Sequence, residues 1–179
     1  MNPATRFKVA NNPGDFARIA QMADIIWREH YIPIIGKPQV DYMLEHFQSV
    51  PAISRQVSEN MLYYIIMKQE IYIGYMAIQK RGRELFLSKI YLFREYRGEG
   101  HGKAAMEFTE EKAREFECDR IALTVNKNNH LSIQAYLKMG FENTGALVTD
   151  IGGGFVMDDY RLVSILKYRP CDAAGNSPV

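Results

Sequence analysis

Seven consecutive residues carry the densest chemistry in this chain: Arg97-Gly98-Glu99-Gly100-His101-Gly102-Lys103. Alternating glycines let a backbone approach a ligand closely, and a helix that starts there turns its free N–H groups outward. Such a loop is an anion cradle, and Arg97 and Lys103 add two cations suited to phosphate oxygens. The plainer alternative is a strand-to-helix turn whose basic residues face water. Two nucleotide motifs fail on this stretch. Walker A requires Gly where Arg97 stands and Ser or Thr where Ala104 stands, and the dinucleotide fingerprint requires Gly where Lys103 stands. A Mg²⁺- and ATP-dependent phosphotransferase is therefore disfavoured.

A cradle of this kind needs a strand before it and a helix after it. Glu84 to Leu92 is a strongly apolar strand, and Gly102 to Phe116 reads as the helix. A further strand over Arg120 to Val125 completes a strand–helix–strand crossover, which makes its two strands parallel. A helix over Leu131 to Met139 follows. Upstream, Arg6 to Ala10 is a short strand, and Asn11 to Asp15 caps a helix whose Phe16, Ile19, Ala20, Ala23, Ile26 and His30 share one face. That helix is expected to end before Tyr31-Ile32-Pro33, with a loop through Gly36. Helices over Gln39 to Gln48 and from Ser49 to Ser58 come next, then strands over Met61 to Met67 and Ile71 to Ile78. Two last strands, Asn143 to Asp150 and Val156 to Lys167, are bridged by Gly152-Gly153-Gly154. The expected fold is α/β of the α+β type: one domain with a mixed, mostly antiparallel sheet of about seven strands and about four flanking helices.

Composition bounds the function. At 179 residues the chain fits one domain over 1–169 and a small polar tail over 170–179. With 22 basic and 21 acidic residues, it lacks the cationic surplus that nucleic-acid binding needs. Cys118 and Cys171 form no Cys/His grid, so no metal is expected. No run approaches the roughly 20 apolar residues that cross a bilayer, and no signal peptide is visible, so no membrane role and a cytoplasmic location are expected.

The stretch Arg97 to Gly102 fits R-x-x-G-x-G. Downstream, Asn129-His130-Leu131-Ser132-Ile133-Gln134-Ala135-Tyr136-Leu137-Lys138-Met139-Gly140-Phe141 fits N-x-x-A/S-x-x-x-Y-x-K-x-G-F. In these motifs and the elements between them, the chain resembles the GNAT superfamily of N-acetyltransferases over about Met61 to Phe141. The early helices match by their order alone. The resemblance implies a splayed central strand pair that holds acetyl-coenzyme A. It assigns Tyr91 and Leu92 main-chain contacts to the pantetheine arm, Arg97, Gly98, Glu99, Gly100, His101, Gly102 and Lys103 to the pyrophosphate, and Asn129 and Ser132 to further cofactor contacts. It also makes Tyr136 the acid that protonates the departing thiolate, a role matched by a phenol of pKa ~10. Equally, Tyr136 is a packing aromatic on its helix face.

The acceptor amine must be neutral to attack, which costs about 4.6 kcal/mol at pH 7 for an alkylamine. Glu84 stands where some members carry a base, although a hairpin-end glutamate is ordinarily solvated. His30 is a second candidate base. Glu29, His30, Tyr31, Asp158 and Asp159 lie where the family's acceptor cleft forms, and their carboxylates tilt the expectation towards a small, polyamine-like cationic amine. A protein N-terminus or lysine as acceptor, and a non-catalytic acyl-coenzyme A sensor, stay open. Dimers are common in the family, so a homodimer is compatible with it. Cys118 reads as structural, because direct transfer needs no covalent nucleophile.

Overall fold

A computed structural model describes residues 5–167. The expected tail over 170–179, with Cys171, lies outside the described residues. The chain order is β1 (Thr5–Val9), α1 (Pro13–Ile35), α2 (Lys37–Phe47), α3 (Val50–Ser58), β2 (Leu62–Lys68), β3 (Ile71–Arg81) and β4 (Glu84–Leu92). It continues with α4 (His101–Glu115), β5 (Arg120–Asn126), α5 (His130–Lys138), β6 (Glu142–Gly152) and β7 (Phe155–Ile165). A single 3₁₀ turn, Arg94–Tyr96, joins β4 to the glycine loop. Among the described residues there are five α-helices, matching the five segments read from the sequence rather than the overall figure of about four, with the Ser49 cap and Pro51 starting α3 separately.

One sheet holds all seven strands in the order β1-β2-β3-β4-β5-β7-β6. Every neighbouring pair is antiparallel except β4 with β5. That parallel ladder spans only Glu84↔Arg120, Leu85↔Ile121 and Phe86↔Ala122, after which the two strands part. Both outer neighbours stay paired: β3 follows β4 to Gly74↔Leu92, and β7 follows β5 to Asn126↔Asp159. The sheet is therefore open along its middle on one side.

Two cores cover the two faces. On one, α1 to α3 bury Ile19, Ile26, Trp27, Val40 and Ile53 against Tyr63, Ile65 and Tyr75. On the other, α4 and α5 bury Ala105, Met106 and Ile133 against Ile66, Leu85, Leu87 and Leu123. Helix α1 runs further than expected, through Pro33, and the predicted loop shrinks to Gly36. Proline in the last turn forfeits one backbone hydrogen bond without breaking the helix. Gly36 then ends it at φ 82°, its N–H bonding Ile32 O at 3.0 Å. Among the described residues no helix is long and apolar enough to cross a membrane.

Candidate active site

The glycine loop caps α4 as its sequence predicts. Gly98 and Gly100 sit at φ 79° and 88°, where a side chain is strained, and Gly100 is the N-cap of α4. No side chain caps this helix, so its first amides face outward. The loop is held from below. His101 is buried, with Nδ1 2.9 Å from Thr5 Oγ1 and Nε2 3.4 Å from Glu99, and Glu99 pairs with Lys68 at 2.7 Å. Arg97 Nε donates to the Leu92 carbonyl at 3.0 Å, which ties the loop to the end of β4.

Above the loop a cleft of about 330 Å³ opens between β4 and β5. Its lining brings together Tyr91, Leu92, Arg97, Gly102, Asn129, Ser132 and Tyr136 from across the sequence. Asn129 caps α5 by accepting from the Ser132 N–H, and its amide nitrogen lies 3.1 Å from His30 Nε2. Burial and the Arg97 charge push His30 below its ordinary value, so it is neutral at pH 7. Tyr136 stands edge-on to Phe141 at 5.6 Å, and burial holds its phenol well above the usual tyrosine range, with the Tyr31 phenol adding to the shift.

A second cavity, about 440 Å³, lies on the α1–α3 side of the same opening. Its walls are largely apolar: Trp27, Met43 and Phe47 from the early helices, Phe86 from β4, and Ile151 and Met157 from the β6–β7 hairpin. The hairpin is clasped by α2, with Tyr42 Oη donating to Ile151 O and Gln39 Nε2 to Val156 O, both at 2.7 Å. The two cavities share Tyr31, Ser88, Lys89, Tyr91 and Thr124. A molecule in one and a molecule in the other thus meet at the splay.

A family model described as the acetyltransferase (GNAT) family matches residues 19–141, more than half of the chain. The chain belongs to the GNAT acetyltransferase family. This GNAT chain is 34% identical over 62 residues to an uncharacterized N-acetyltransferase, YdgE, of Bacillus subtilis, a match spanning 35% of this chain and 40% of that protein. The PaiA N-acetyltransferase of Thermoplasma acidophilum, solved with coenzyme A, shares the fold at TM-score 0.73 and 17% identity, covering 90% of this chain and 99% of that one. A spermidine N-acetyltransferase, SpeG, of Vibrio cholerae does so at TM-score 0.63 and 16% identity, over 90% of this chain and 93% of that one.

Several residues expected at the GNAT site are placed elsewhere. Glu84 lines neither cavity; it sits at the far end of β4 in an ion pair with Arg161. Glu29 pairs with Arg94, Asp158 pairs with Lys127, and the Lys103 side chain lies 3.8 Å from Glu107. Of the acceptor-side carboxylates expected, Asp159 alone reaches the second cavity, where burial pushes its pKa up to about 6 against the lowering hydrogen bond from Thr124. Glu84→Gln is accordingly expected to leave kcat/KM within about twofold of the parent, because the half-buried pair it weakens lies outside both cavities. Steady-state thiol release checks this, and a loss of 100-fold would restore Glu84 as the base.

Sequence reasoning passed over Lys89. The β3–β4 register runs Ala77↔Lys89 then Ile78↔Leu87, so Ser88 is an extra residue in a bulge. Without the bulge Lys89 would share the face of Leu85 and Leu87; with it, Lys89 turns to the α1–α3 side. There it is 9% exposed, and burial followed by the Arg81 charge pushes its pKa down to about 7. A lysine amid the apolar run Leu85–Leu92 was the available signal.

This buried amine sets a stability dependence. In the unfolded chain Lys89 titrates near 10.4, so between about pH 7 and 10 the folded state binds fewer protons and stability rises with pH. The penalty is fully present below pH 7. Lys89→Met is expected to raise stability at pH 6 by on the order of 2–4 kcal/mol, the gain vanishing towards pH 10. Thermal melts at both values check this; an equal difference at pH 6 and pH 10 would rule it out.

Proposed function

We propose that this chain is an acetyl-coenzyme A-dependent N-acetyltransferase that acts on the primary amine of a small molecule with an apolar body. The observation that carries the reading is the pair of cavities meeting where β4 and β5 part. The cleft at the glycine loop suits the cofactor: free amides and Arg97 for the pyrophosphate, and main-chain groups of Tyr91 and Leu92 for the pantetheine arm. Gly74 supports this fit, because a Cβ there would lie 2.1 Å from the Tyr91 carbonyl and displace the strand edge.

The reaction is direct attack of the amine on the thioester carbonyl. A main-chain N–H near Leu92 is positioned on the strand edge to stabilise the oxyanion, a contribution of roughly 3–4 kcal/mol for a well-placed donor. Tyr136, kept protonated by burial, donates to the leaving thiolate, whose basicity the same largely apolar surroundings raise. In the second cavity Asp159 attracts one ammonium group, while Trp27, Met43, Phe47 and Met157 cover an apolar body. A polyamine is the second reading, because Glu59 lines that cavity beside Asp159 and gives a second carboxylate.

Coenzyme A release is measured with phenethylamine, spermidine, a peptide with a free N-terminus and a peptide with one lysine. Phenethylamine is expected to give the highest kcat/KM. Faster turnover of spermidine favours the second reading, and preference for either peptide overturns the small-molecule one. Binding of acetyl-coenzyme A without turnover of any amine identifies a sensor.

A further inference from the structure

The transfer just proposed needs a group that takes the proton of the incoming ammonium, and this inference rests on that reading. The acceptor cavity holds a buried base that has no carboxylate partner among the described residues. Lys89 Nζ lies 3.0 Å from Ser88 Oγ, 3.1 Å from Gln56 Oε1 and 3.7 Å from Met61 Sδ. The Tyr63 ring lies beneath it, 5.3 Å from Nζ to the centroid. Gln56 Oε1 is itself fixed by the Tyr63 hydroxyl at 2.7 Å. As an ammonium, Lys89 donates to all three of these atoms; as a neutral amine it keeps the bonds to Gln56 and Met61, and its lone pair turns to the Ser88 hydroxyl. Ser88 stands on the boundary shared by both cavities, carried there by the bulge.

The charged and titratable groups facing that amine come from several elements. Arg55 and Glu59 of α3, Tyr31 of α1, Tyr91 of β4 and Asp159 of β7 line the same cavity. Tyr31, Tyr63 and Tyr91 are all held above the usual phenol range by burial and stay neutral. Burial disfavours the charged form of Lys89 by desolvation, and Arg81 of β3 adds charge repulsion in the same direction. Neither Glu59 nor Asp159 forms an ion pair with it among the described residues. The surroundings therefore keep a share of this amine free at neutral pH, able to receive a proton.

We propose that Lys89 is the proton acceptor of the transfer, reached through the Ser88 hydroxyl. The acceptor ammonium gives a proton to Ser88 Oγ as Ser88 passes its own to Lys89 Nζ. The freed amine attacks the acetyl carbonyl, the C–S bond breaks, and the second nitrogen proton goes to the thiolate by way of Tyr136. Lys89 then returns its proton to solvent. Net products are the amide, free thiol and one proton.

The test compares phenethylamine with β,β-difluorophenethylamine, whose fluorines leave most of its nitrogen neutral at pH 7. Each is assayed with the parent, Lys89→Met, Lys89→Arg and Ser88→Ala. Arginine keeps a cation in place but takes up no proton near neutral pH. With phenethylamine, both Lys89 variants are expected to lose about 100-fold in kcat/KM and Ser88→Ala about 10-fold or more, within the range for proton transfer. With the fluorinated amine the losses shrink to about threefold, since that substrate arrives deprotonated. Stabilisation of each variant by acetyl-coenzyme A in thermal melts establishes an intact cofactor cleft. Equal losses on both amines, full activity in Lys89→Arg, or no loss at all would overturn the assignment while leaving N-acetyl transfer standing. Absence of turnover with every amine overturns both.

Discussion

Replacing Tyr136 with phenylalanine lowers kcat about 100-fold, while the KM for acetyl-coenzyme A stays within about twofold. The expectation follows from what the substitution keeps and removes. Phenylalanine preserves the ring that stands 5.6 Å from Phe141, so the packing of α5 against the start of β6 survives. It removes the hydroxyl facing a cleft shared with Tyr31 and Tyr91. That hydroxyl remains a donor because burial and the neighbouring Tyr31 penalise its ionised form. Expulsion of an unprotonated thiolate into the same largely apolar cleft carries the matching penalty, so loss of the donor falls on the step that breaks the C–S bond. Single-turnover thiol release isolates that step from cofactor binding. A rate near that of the parent would reduce Tyr136 to a packing residue.

The second large effect is expected from Gly74→Ala. This glycine has ordinary strand geometry, and its importance is spatial: an added Cβ meets the Tyr91 carbonyl at 2.1 Å and the Leu92 Cα at 3.0 Å. Both partners are backbone atoms, which cannot swing aside as a side chain would. The end of β4 must move by about 1 Å to restore normal contact. Overpacking of this kind costs about 3 kcal/mol, which lowers Tm by roughly 6–12 °C in a domain of this size. The displaced edge is the one proposed to hold the pantetheine arm, so acetyl-coenzyme A affinity is expected to fall at least tenfold as well. Calorimetric titration alongside a thermal melt checks both. A variant with lower Tm but unchanged affinity would show that the strand edge does not bind the cofactor.

The sequence revealed elements better than it revealed partners. Strand β4 is found over Glu84–Leu92, as its apolar run indicates, and α4 begins one residue before its expected start at Gly102. Local signals set these bounds: turn glycines, caps and hydrophobic period. Pro33 misled because the helix runs past it to Ile35, forgoing one backbone hydrogen bond, and ends at Gly36 instead. The cleft at the glycine loop was legible because two contiguous motifs supply Arg97, Gly102, Asn129, Ser132 and Tyr136 to its lining. The second cavity was not. It draws on α1, α2, α3, β4, β5 and the β6–β7 hairpin, from Trp27 to Asp159, and no local spacing links such positions. Lys89 was hidden for a related reason: strand alternation gives the face of a side chain until a bulge resets it.

The short parallel ladder between β4 and β5 has a mechanical meaning. Three residue pairs at one end join two halves of a sheet that are otherwise fully stitched, so the seam behaves like a partly opened zip with α4 as its backing tape. Opening of that seam requires few bonds to break, and the free strand edges beyond it are the places where local unfolding begins. A cofactor bridging the gap would lend each edge the partner it lacks, so the bond between enzyme and substrate would also complete the fold. Substrate occupancy and resistance to proteolysis would thereby be joined in one line of backbone.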